Sequence, residues 1–434
     1  MNKKEYILLA ILGFGIITIS AILSPQSLSE FFIESTIQSL ETIITMVWIT
    51  WWALVLGFGI AGGVEAWISS ERIASSLQET TVMSVSKASF FGFVSSSCSY
   101  SAIATAKNLF KKGASASTSL GAFMFAATNL VIEIGFVIWV LLGWEFVIAN
   151  YVGGIILIVL MSLSLRFVVP QYIIEEARES VVSETITDPV CGMDVEPNST
   201  EHSLEHRNES YYFCSEECKN SFNPKAATEN KSVKENVTTR AGWTKLADKQ
   251  WSEWAMLWDE IAIGFIFAGL IAGFVPQSLW SSIFAQEAFG MPIALIWGAI
   301  IGATIGVITF VCSVGNVPFA TVLWVGGLPF GGVFSYIYAD LVVPPIVDAY
   351  REYYGDKFGF ILAGLMFICA IVAGIITHII FISLGLIPDP SSISIATNKI
   401  ELDYKAYLNI FFTGVFLLLF YLHKQSSQTK SHSQ

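Results

Sequence analysis

The sequence has 434 residues, of which 54% are hydrophobic and only 13% are charged, and its net charge is −12. A soluble protein carries about 25% charged residues, so this chain has too few charges to cover a water-exposed surface. Together with the mean hydropathy of +0.62, this composition argues against a soluble enzyme and a disordered chain, and no basic patch indicates nucleic-acid binding. The 14% of aromatic residues fits a bilayer protein with interfacial aromatic belts.

A transmembrane helix needs about 20 mostly apolar residues. The first apolar run follows two lysines and lacks a small-x-small cleavage site, so we interpret it as an uncleaved helix rather than a signal peptide. Two further stretches are apolar but interrupted, residues 88–110 by a serine-rich break and residues 291–325 by a break that contains Asn-Val-Pro. The predicted full spans are 6–23, 43–68, 118–142, 146–169, 261–280, 328–347, 358–387 and 404–422.

The distribution of lysine and arginine predicts how the interrupted stretches sit in the membrane. If Lys3 and Lys4 place the N-terminus inside, a fully crossing 88–110 stretch leaves Lys107 and Lys111 outside, whereas a re-entrant stretch keeps them inside. We therefore predict that both interrupted stretches enter and return, with ten full crossings as the alternative. The same topology predicts a multi-pass plasma-membrane protein whose termini and soluble insert are cytoplasmic.

The two interrupted stretches also indicate an internal repeat. Cys98 stands 15 residues before Gly113, and Cys312 stands 15 residues before Gly327. The first stretch would enter from inside and the second from outside, which is the pattern of an inverted repeat in many secondary transporters. The predicted fold is an all-α polytopic membrane protein with about eight transmembrane helices, two broken or re-entrant segments in an inverted repeat, and a small α+β insert.

Glycine patterns in the apolar segments favour helix packing over nucleotide binding. Residues 57–62 match G-x-G-x-x-G, but they lie within an apolar helix without a βαβ context. Gly298, Gly302 and Gly306 form a small-residue face that suits helix–helix contact. We also find no G-x-x-x-x-G-K-[ST] phosphate loop, so we predict no nucleotide cofactor.

The acidic residues concentrate between the two membrane halves. Residues 170–255 contain 16 acidic and 9 basic side chains, a net charge of −7. We therefore predict a soluble insert between two linkers. The predicted organisation is 1–169 for membrane half 1, 170–187 for a linker, 188–228 for the insert, 229–258 for a linker with an interfacial tryptophan-rich approach, 259–423 for membrane half 2, and 424–434 for a polar tail.

The insert contains Asp-Pro-Val-Cys-Gly-Met at 188–193 and Tyr-Tyr-Phe-Cys-Ser-Glu-Glu-Cys at 211–218. These motifs resemble the YHS domain, a small metal-binding module, although the tail after Phe222 departs from that family. A module this short benefits from a bound metal, and thiolates suit Zn²⁺, Cu⁺ or another soft ion. The predicted ligands are Cys191, Cys214, Cys218 and His202, with Asp188 or His206 as other candidates. The alternative is that these cysteines pack as small apolar residues.

The interrupted stretches carry Cys98-Ser99 with 111–115 in the first half, and 312–318, 326–327, 330–332 and 339–341 in the second. These motifs resemble the predicted-permease family that includes bacterial organoarsenical efflux permeases. The resemblance implies export of a small soft solute, such as a trivalent arsenical. The first half departs from that family, since it has Cys98-Ser-Tyr-Ser where Cys-Ser-Cys-Gly is usual.

Irregular backbone at bilayer depth is tolerated where it lines a cavity, and broken helices hold the solute in many transporters. If the two breaks meet, Cys98 and Cys312 face each other and offer two thiolates to a soft acid. The alternative is that each cysteine packs at a helix crossing. The predicted substrate pathway comprises Cys98, Ser99, Asn129, Glu133, Cys312, Ser313, Asn316, Pro318 and Asp340.

Glu133 lies near the middle of the predicted span 118–142, and an ionisable group at that depth is a functional hypothesis by default. It is a candidate carrier of a coupling proton, and Asp340 lies in the corresponding helix of the second half. Glu133→Gln is accordingly predicted to abolish coupled transport without loss of folding.

The sequence therefore predicts a secondary permease, not an enzyme, that exports a soft metal or metalloid species while the insert captures or senses that ion. Its partners are the lipid bilayer and the solute, and the sequence leaves the oligomeric state open. Two rivals remain, a passive channel that does not need Glu133 or Asp340, and a membrane metal sensor in which the insert is the main functional site.

Overall fold

The computed structural model is almost entirely helical. It describes residues 15, 17, 18, 20–22, 27–67, 81–93, 99–111, 113–182, 186–187, 194–195, 202–206, 209–213, 219, 237–284, 290–309, 313–390 and 404–431. Half 1 contains α1 (Leu28–Trp67), α2 (Val82–Phe93), α3 (Ser99–Lys111), α4 (Ser117–Asn129), α5 (Ile132–Leu142), α6 (Trp144–Phe167) and α7 (Gln171–Val182). Half 2 contains α8 (Arg240–Phe274), α9 (Gln277–Phe284), α10 (Met291–Thr309), α11 (Ser313–Val325), α12 (Phe330–Val342), α13 (Pro344–Tyr354), α14 (Asp356–Ser383) and α15 (Tyr404–Ser431).

Within these residues, six helices are long and apolar enough to cross a membrane, and two bent helix pairs raise the number to eight. The number agrees with the prediction, but the members differ. Most of the predicted span 6–23 lies outside the described residues, and α10 passes the test by itself although it was predicted as part of an interrupted stretch. The predicted single spans 118–142 and 328–347 are bent pairs, with bends of 46° between α4 and α5 and of 45° between α12 and α13.

The two halves repeat the same succession of elements. The helices α3 and α11 each have 13 residues, and α5 and α13 each have 11. A left-handed glycine follows each 13-residue helix, with φ of 98° at Gly113 and 100° at Gly327. Another follows each 11-residue helix, with φ of 99° at Gly143 and 82° at Gly355. Glycine adopts this conformation without steric cost, so the repeat predicted from Cys98 and Cys312 extends through both bent pairs.

In the second interrupted stretch, α10 and α11 form an antiparallel helical hairpin. The small-residue face of α10 packs along α12 in the same direction, because Gly298 lies against Pro329 and Gly306 lies against Tyr336 O. The helix α11 runs back beside them, so that its first residue is hydrogen-bonded to Asp340 at the far end of α12. Both ends of the hairpin therefore lie on the side of the fold that contains Gly327, while the re-entrant topology stays a prediction.

The corresponding glycine turns of the two halves lie at opposite faces. Near the Gly113 turn, Ser117 Oγ donates to Ser162 O at 3.0 Å, late in α6. Near the Gly327 turn, Gly331 N donates to His378 Nδ1 at 3.2 Å, late in α14. The helices α6 and α14 are antiparallel, since Gly153 contacts Thr377 whereas Ser164 Oγ lies 3.7 Å from Cys369 Sγ. The repeat is therefore inverted.

The glycine face of α10 gives a stability prediction. A Cβ at Gly302 would overlap the Gly332 carbonyl oxygen, which is backbone and has little freedom to move. Gly302→Leu is therefore expected to lower the free energy of unfolding by about 3 kcal/mol, at the upper end of overpacking costs. Thermal unfolding of the purified protein in detergent tests this, with Gly364→Leu as the control because a Cβ at Gly364 meets nothing within 4 Å. Equal unfolding temperatures for the two variants would contradict the packing described.

The predicted linkers contain helices. The 170–187 linker contains α7, whose Arg178 Nη2 donates to Ala114 O at 2.9 Å. Burial lowers the pKa of the Arg178 guanidinium from its ordinary value, while nearby Glu175 opposes this change. The 229–258 linker is part of α8 from Arg240 onward, and the Thr239 side chain accepts from Gly242 N at 3.3 Å at its start. The predicted polar tail continues α15 to Ser431.

The insert contributes two antiparallel strand pairs. The strands β1 (Ile186–Thr187) and β2 (Asp194–Val195) form one sheet, and β3 (Ser203–His206) and β4 (Glu209–Tyr212) form the other. Its core contains Phe213, which is fully buried. The described part of the insert is thus a pair of short hairpins, and the predicted α+β module is not shown beyond them.

Candidate functional site

The two inverted halves meet where α3 and α11 begin. Ser99 and Ser313 are the first residues of these helices, and their Oγ atoms lie 3.0 Å apart in a buried contact. The same displacement of 214 residues relates Gly113 to Gly327 and Ser99 to Ser313, so the two serines occupy equivalent positions in the repeat. The sequence predicted that the two breaks meet, and this hydrogen bond joins the residues that directly follow them.

A buried carboxylate completes this contact. Ser313 Oγ donates to Asp340 Oδ2, and Asn129 Nδ2 donates to Asp340 Oδ1 at 3.3 Å. Asn129 and Asp340 are 1% and 2% exposed, so both depend on these hydrogen bonds for stabilisation. The four residues Ser99, Ser313, Asp340 and Asn129 are hereafter called the central cluster.

The bend between α4 and α5 supplies an acceptor beside the central cluster. Val131 is extended, with ψ of 149°, so the helix stops before it and leaves carbonyl oxygens without helical partners. Asn150 Nδ2 donates to one of them, Asn129 O, at 2.8 Å, and Tyr338 Oη donates to Asn150 O at 2.9 Å. These contacts connect α4, α6 and α12 at the same depth. The sequence analysis did not select Asn150 or Tyr338, although a lone asparagine in an apolar helix was a usable signal.

Asn316 and Pro318 lie farther along α11, outside the central cluster. Tyr336 Oη donates to Asn316 Oδ1 at 2.8 Å, while Asn316 Nδ2 has no partner within the described ranges. Pro318 lies inside the helix and cannot donate a backbone hydrogen bond. Both residues are fully buried in the hairpin, so their assignment to the pathway stays a prediction.

Glu133 is placed differently from Asp340. It lies in the first turn of α5, after the bend, whereas Asp340 lies before the bend in half 2. Glu133 packs against α1, where a Cβ at Gly57 would lie 2.8 Å from Glu133 Cα. The two carboxylates therefore do not occupy equivalent positions, which corrects the sequence interpretation. The packing role predicted for residues 57–62 is confirmed, because Gly62 lies so close to the backbone of Gln250 on α8 that a Cβ there would overlap it.

Several predicted site residues cannot be placed. Of the predicted metal ligands, His202 is half-buried, and its carbonyl oxygen accepts from Phe213 N at 2.9 Å. Among the described residues, no group of three His, Cys, Asp or Glu side chains is arranged to hold a metal ion. The predicted site residues that lie outside the described residues are Cys98, Cys312, Cys191, Cys214 and Cys218.

Comparison with known proteins agrees with a membrane-spanning architecture. The model of the ArsP_1 family, described as predicted permeases, matches residues 36–379. The chain belongs to this family of predicted permeases. It is 33% identical over 325 residues to Rv2963 of Mycobacterium tuberculosis, a protein named as a presumed permease, and the match covers 74% of this chain and 71% of the relative. No solved structure matches the chain.

Family membership and the apolar helices identify a multi-pass membrane protein of the permease type. A permease is a transporter rather than an enzyme, and its environment is the lipid bilayer. In this ArsP_1 protein the matched range includes both interrupted stretches and all members of the central cluster. The central cluster is therefore the candidate transport site.

Proposed function

We propose that this ArsP_1 protein is a secondary permease that exports a small soft solute, either a trivalent arsenical or a heavy-metal ion. The central cluster is the observation that carries the proposal, because Ser99 and Ser313 join the returning helices of two inverted halves at a buried polar site. Polar, irregular backbone at such depth is typical of solute sites in transporters built from inverted repeats.

The chemistry of the cysteines supports a soft solute. Cys98 and Cys312 immediately precede Ser99 and Ser313 in the chain, so each thiol belongs to a residue adjacent to the contact between the halves. Thiolates select soft acids. A methylarsenite molecule, CH₃As(OH)₂, condenses with two thiols to form two As–S bonds and releases two water molecules, so one solute can engage both halves.

The insert is proposed to act on the same solute before transport. Cys191, Cys214 and Cys218, with His202, would hold a soft ion at the cytoplasmic face and raise its concentration near the transport site. These residues supply donors that suit Zn²⁺, Cu⁺ or a trivalent metalloid. On this proposal the insert tunes the flux, and deletion of residues 187–228 reduces transport without abolishing it.

Uptake by everted membrane vesicles tests the proposed function. Methylarsenite, arsenite, Cu⁺, Zn²⁺ and Hg²⁺ are compared in parallel, with a proton gradient imposed or collapsed. The expected result is gradient-driven accumulation of one soft species, which is weakened by deletion of 187–228. Gradient-insensitive flux would favour a passive channel. No flux of any species, together with stoichiometric metal binding by the insert, would favour a membrane metal sensor.

A further inference from the structure

The hydrogen bonds of the central cluster have a defined direction when Asp340 is ionised. An ionised carboxylate only accepts, whereas a serine hydroxyl has one proton to donate. Ser313 gives its proton to Asp340 Oδ2, so in the 3.0 Å contact with Ser99 it must accept. The chain of donation therefore runs from Ser99 to Ser313 to Asp340, from half 1 into half 2.

Protonation of Asp340 at Oδ2 reverses this chain. The carboxylic acid then donates to Ser313 Oγ, Ser313 donates to Ser99 Oγ, and the Ser99 proton is released to donate elsewhere. No covalent bond other than that to the added proton changes. A proton bound in half 2 thus changes the hydrogen-bonding role of Ser99 in half 1, beside Cys98 in the chain.

We propose that Asp340 is the binding site of the coupling proton, and that reversal of the Ser99–Ser313–Asp340 chain connects proton binding to the contact between the inverted halves. The proposal rests on the proposed transport function for its coupling, but the proton site itself is a property of the central cluster. The proton and the solute are expected to compete, because protonation changes Ser99, which directly follows Cys98 in the chain, from a donor to Ser313 into an acceptor from it.

The surroundings of Asp340 leave this carboxylate as the group that titrates in the central cluster. The helices α4, α10 and α11 contain no ionisable side chain within their described ranges. The tyrosines that face this region, Tyr336, Tyr338 and Tyr350, donate to Asn316, to Asn150 O and to Leu341 O.

Other ionisable groups on the packed helices have separate contacts. Among these, Lys107 on α3 lies 4.0 Å over the Tyr353 ring, and Lys357 on α14 lies 5.0 Å over the Tyr172 ring. Cys369 and His378 on α14 contact Ser164 and Gly331. Asp348, Arg351 and Asp356 form an ion-pair network at the junction of α13 and α14. Glu133 is the rival proton carrier, and its position against Gly57 on α1 makes it separable by mutation.

Infrared spectroscopy of the full-length protein in lipid nanodiscs, with ¹³C-labelled aspartate and no solute, tests the proton site directly. As the pH falls, the carbonyl stretch of protonated carboxylic acids is expected to contain a component that moves with the label, is absent from Asp340→Asn and persists in Glu133→Gln. Ser313→Ala removes a donor to the ionised form, so it is expected to move the midpoint of this component upward by about one pH unit or more. A labelled band that is identical in wild type and Asp340→Asn, or an unchanged midpoint in Ser313→Ala, would overturn the proposal.

Solute binding then tests the coupling. In wild type the apparent Kd for the solute is expected to rise by up to about tenfold for each pH unit below the midpoint, because one proton competes with the solute. In Asp340→Asn the apparent Kd is expected to rise by less than about twofold for each pH unit. Asp340→Asn is also expected to lose accumulation driven by a proton gradient. Full gradient-driven accumulation in Asp340→Asn, or its loss in Glu133→Gln alone, would overturn the assignment. Absence of transport in wild type would contradict the proposed function, while the infrared result would still decide the proton site.

Discussion

The double variant Cys98→Ser/Cys312→Ser is expected to lose gradient-driven accumulation of the soft solute by roughly tenfold or more, since hydroxyl oxygens are hard ligands and do not replace thiolates. Each tenfold loss of solute affinity corresponds to about 1.4 kcal/mol. The helices of the halves still meet through Ser99 and Ser313, so the variant is expected to fold. Vesicle uptake, paired with thermal unfolding, measures both properties.

The control for this variant is Cys369→Ser. Cys369 is buried in α14 and lies 3.7 Å from Ser164 Oγ, away from the central cluster. The Cys369→Ser variant is therefore expected to keep wild-type accumulation of the solute. Each single variant, Cys98→Ser or Cys312→Ser, leaves one thiol and is expected to reduce transport nearly as much as the double variant. Wild-type accumulation in the double variant would remove both cysteines from the transport mechanism.

Ser313→Ala is expected to be more harmful than Ser99→Ala, although the two serines are equivalent in the repeat. Ser313 both donates to Asp340 and accepts from Ser99, so its loss removes one hydrogen bond from a buried carboxylate and one from a buried hydroxyl. A hydrogen bond to a charged group contributes about 1.5–3 kcal/mol, and one between neutral groups about 1 kcal/mol. We expect Ser313→Ala to lower the free energy of unfolding by about 3 kcal/mol and Ser99→Ala by about 1 kcal/mol.

Unfolding of the purified variants in mixed micelles at neutral pH measures this difference. Thr304→Ala is a matched control, because its hydroxyl bonds only within its own helix, to Ile300 O at 2.8 Å, on an exposed part of α10. Equal losses for Ser99→Ala and Ser313→Ala would contradict the donation chain, since they would show that the carboxylate gains nothing from Ser313.

The sequence predicted the inverted repeat because its signals are local. A cysteine 15 residues before a glycine occurs in each half, and the glycine takes a positive φ in both. The bend in half 2 also had a signal, since two prolines follow Val343 and favour the extended conformation seen there. The bend in half 1 had none, because Val131 is extended without a following proline.

The partners of the site residues could not be predicted from the sequence. Asn129 and Asp340 are 211 residues apart, and their hydrogen bond depends on how the two halves pack. Glu133 was expected to resemble Asp340 because both lie in related apolar spans. Its actual neighbour is determined by Gly57, whose missing side chain lets α5 approach α1. The neighbour of Glu133 depends on the tertiary contact of two distant helices, and a pattern within one helix does not encode that contact.

The helices within the predicted linkers could also have been recognised from the sequence. The segments at 171–182 and 240–258 were predicted as linkers, the second with an interfacial tryptophan-rich approach, and both form helices with one apolar face packed on the membrane domain. In α7 the buried residues Ile173, Ile174, Ala177 and Val181 recur at helical spacing, and this periodicity was available in the sequence. High charge on the opposite face concealed it.

The most direct test of the central claim, that two inverted hairpins converge on one soft solute, is residue-resolved alkylation of the full-length protein with and without methylarsenite. If one solute bridges the halves, Cys98 and Cys312 are expected to become protected together, at the same concentration. Cys98→Ser is then expected to remove most of the protection of Cys312. Protection of the two cysteines at different concentrations, or undiminished protection of Cys312 in Cys98→Ser, would contradict a shared site.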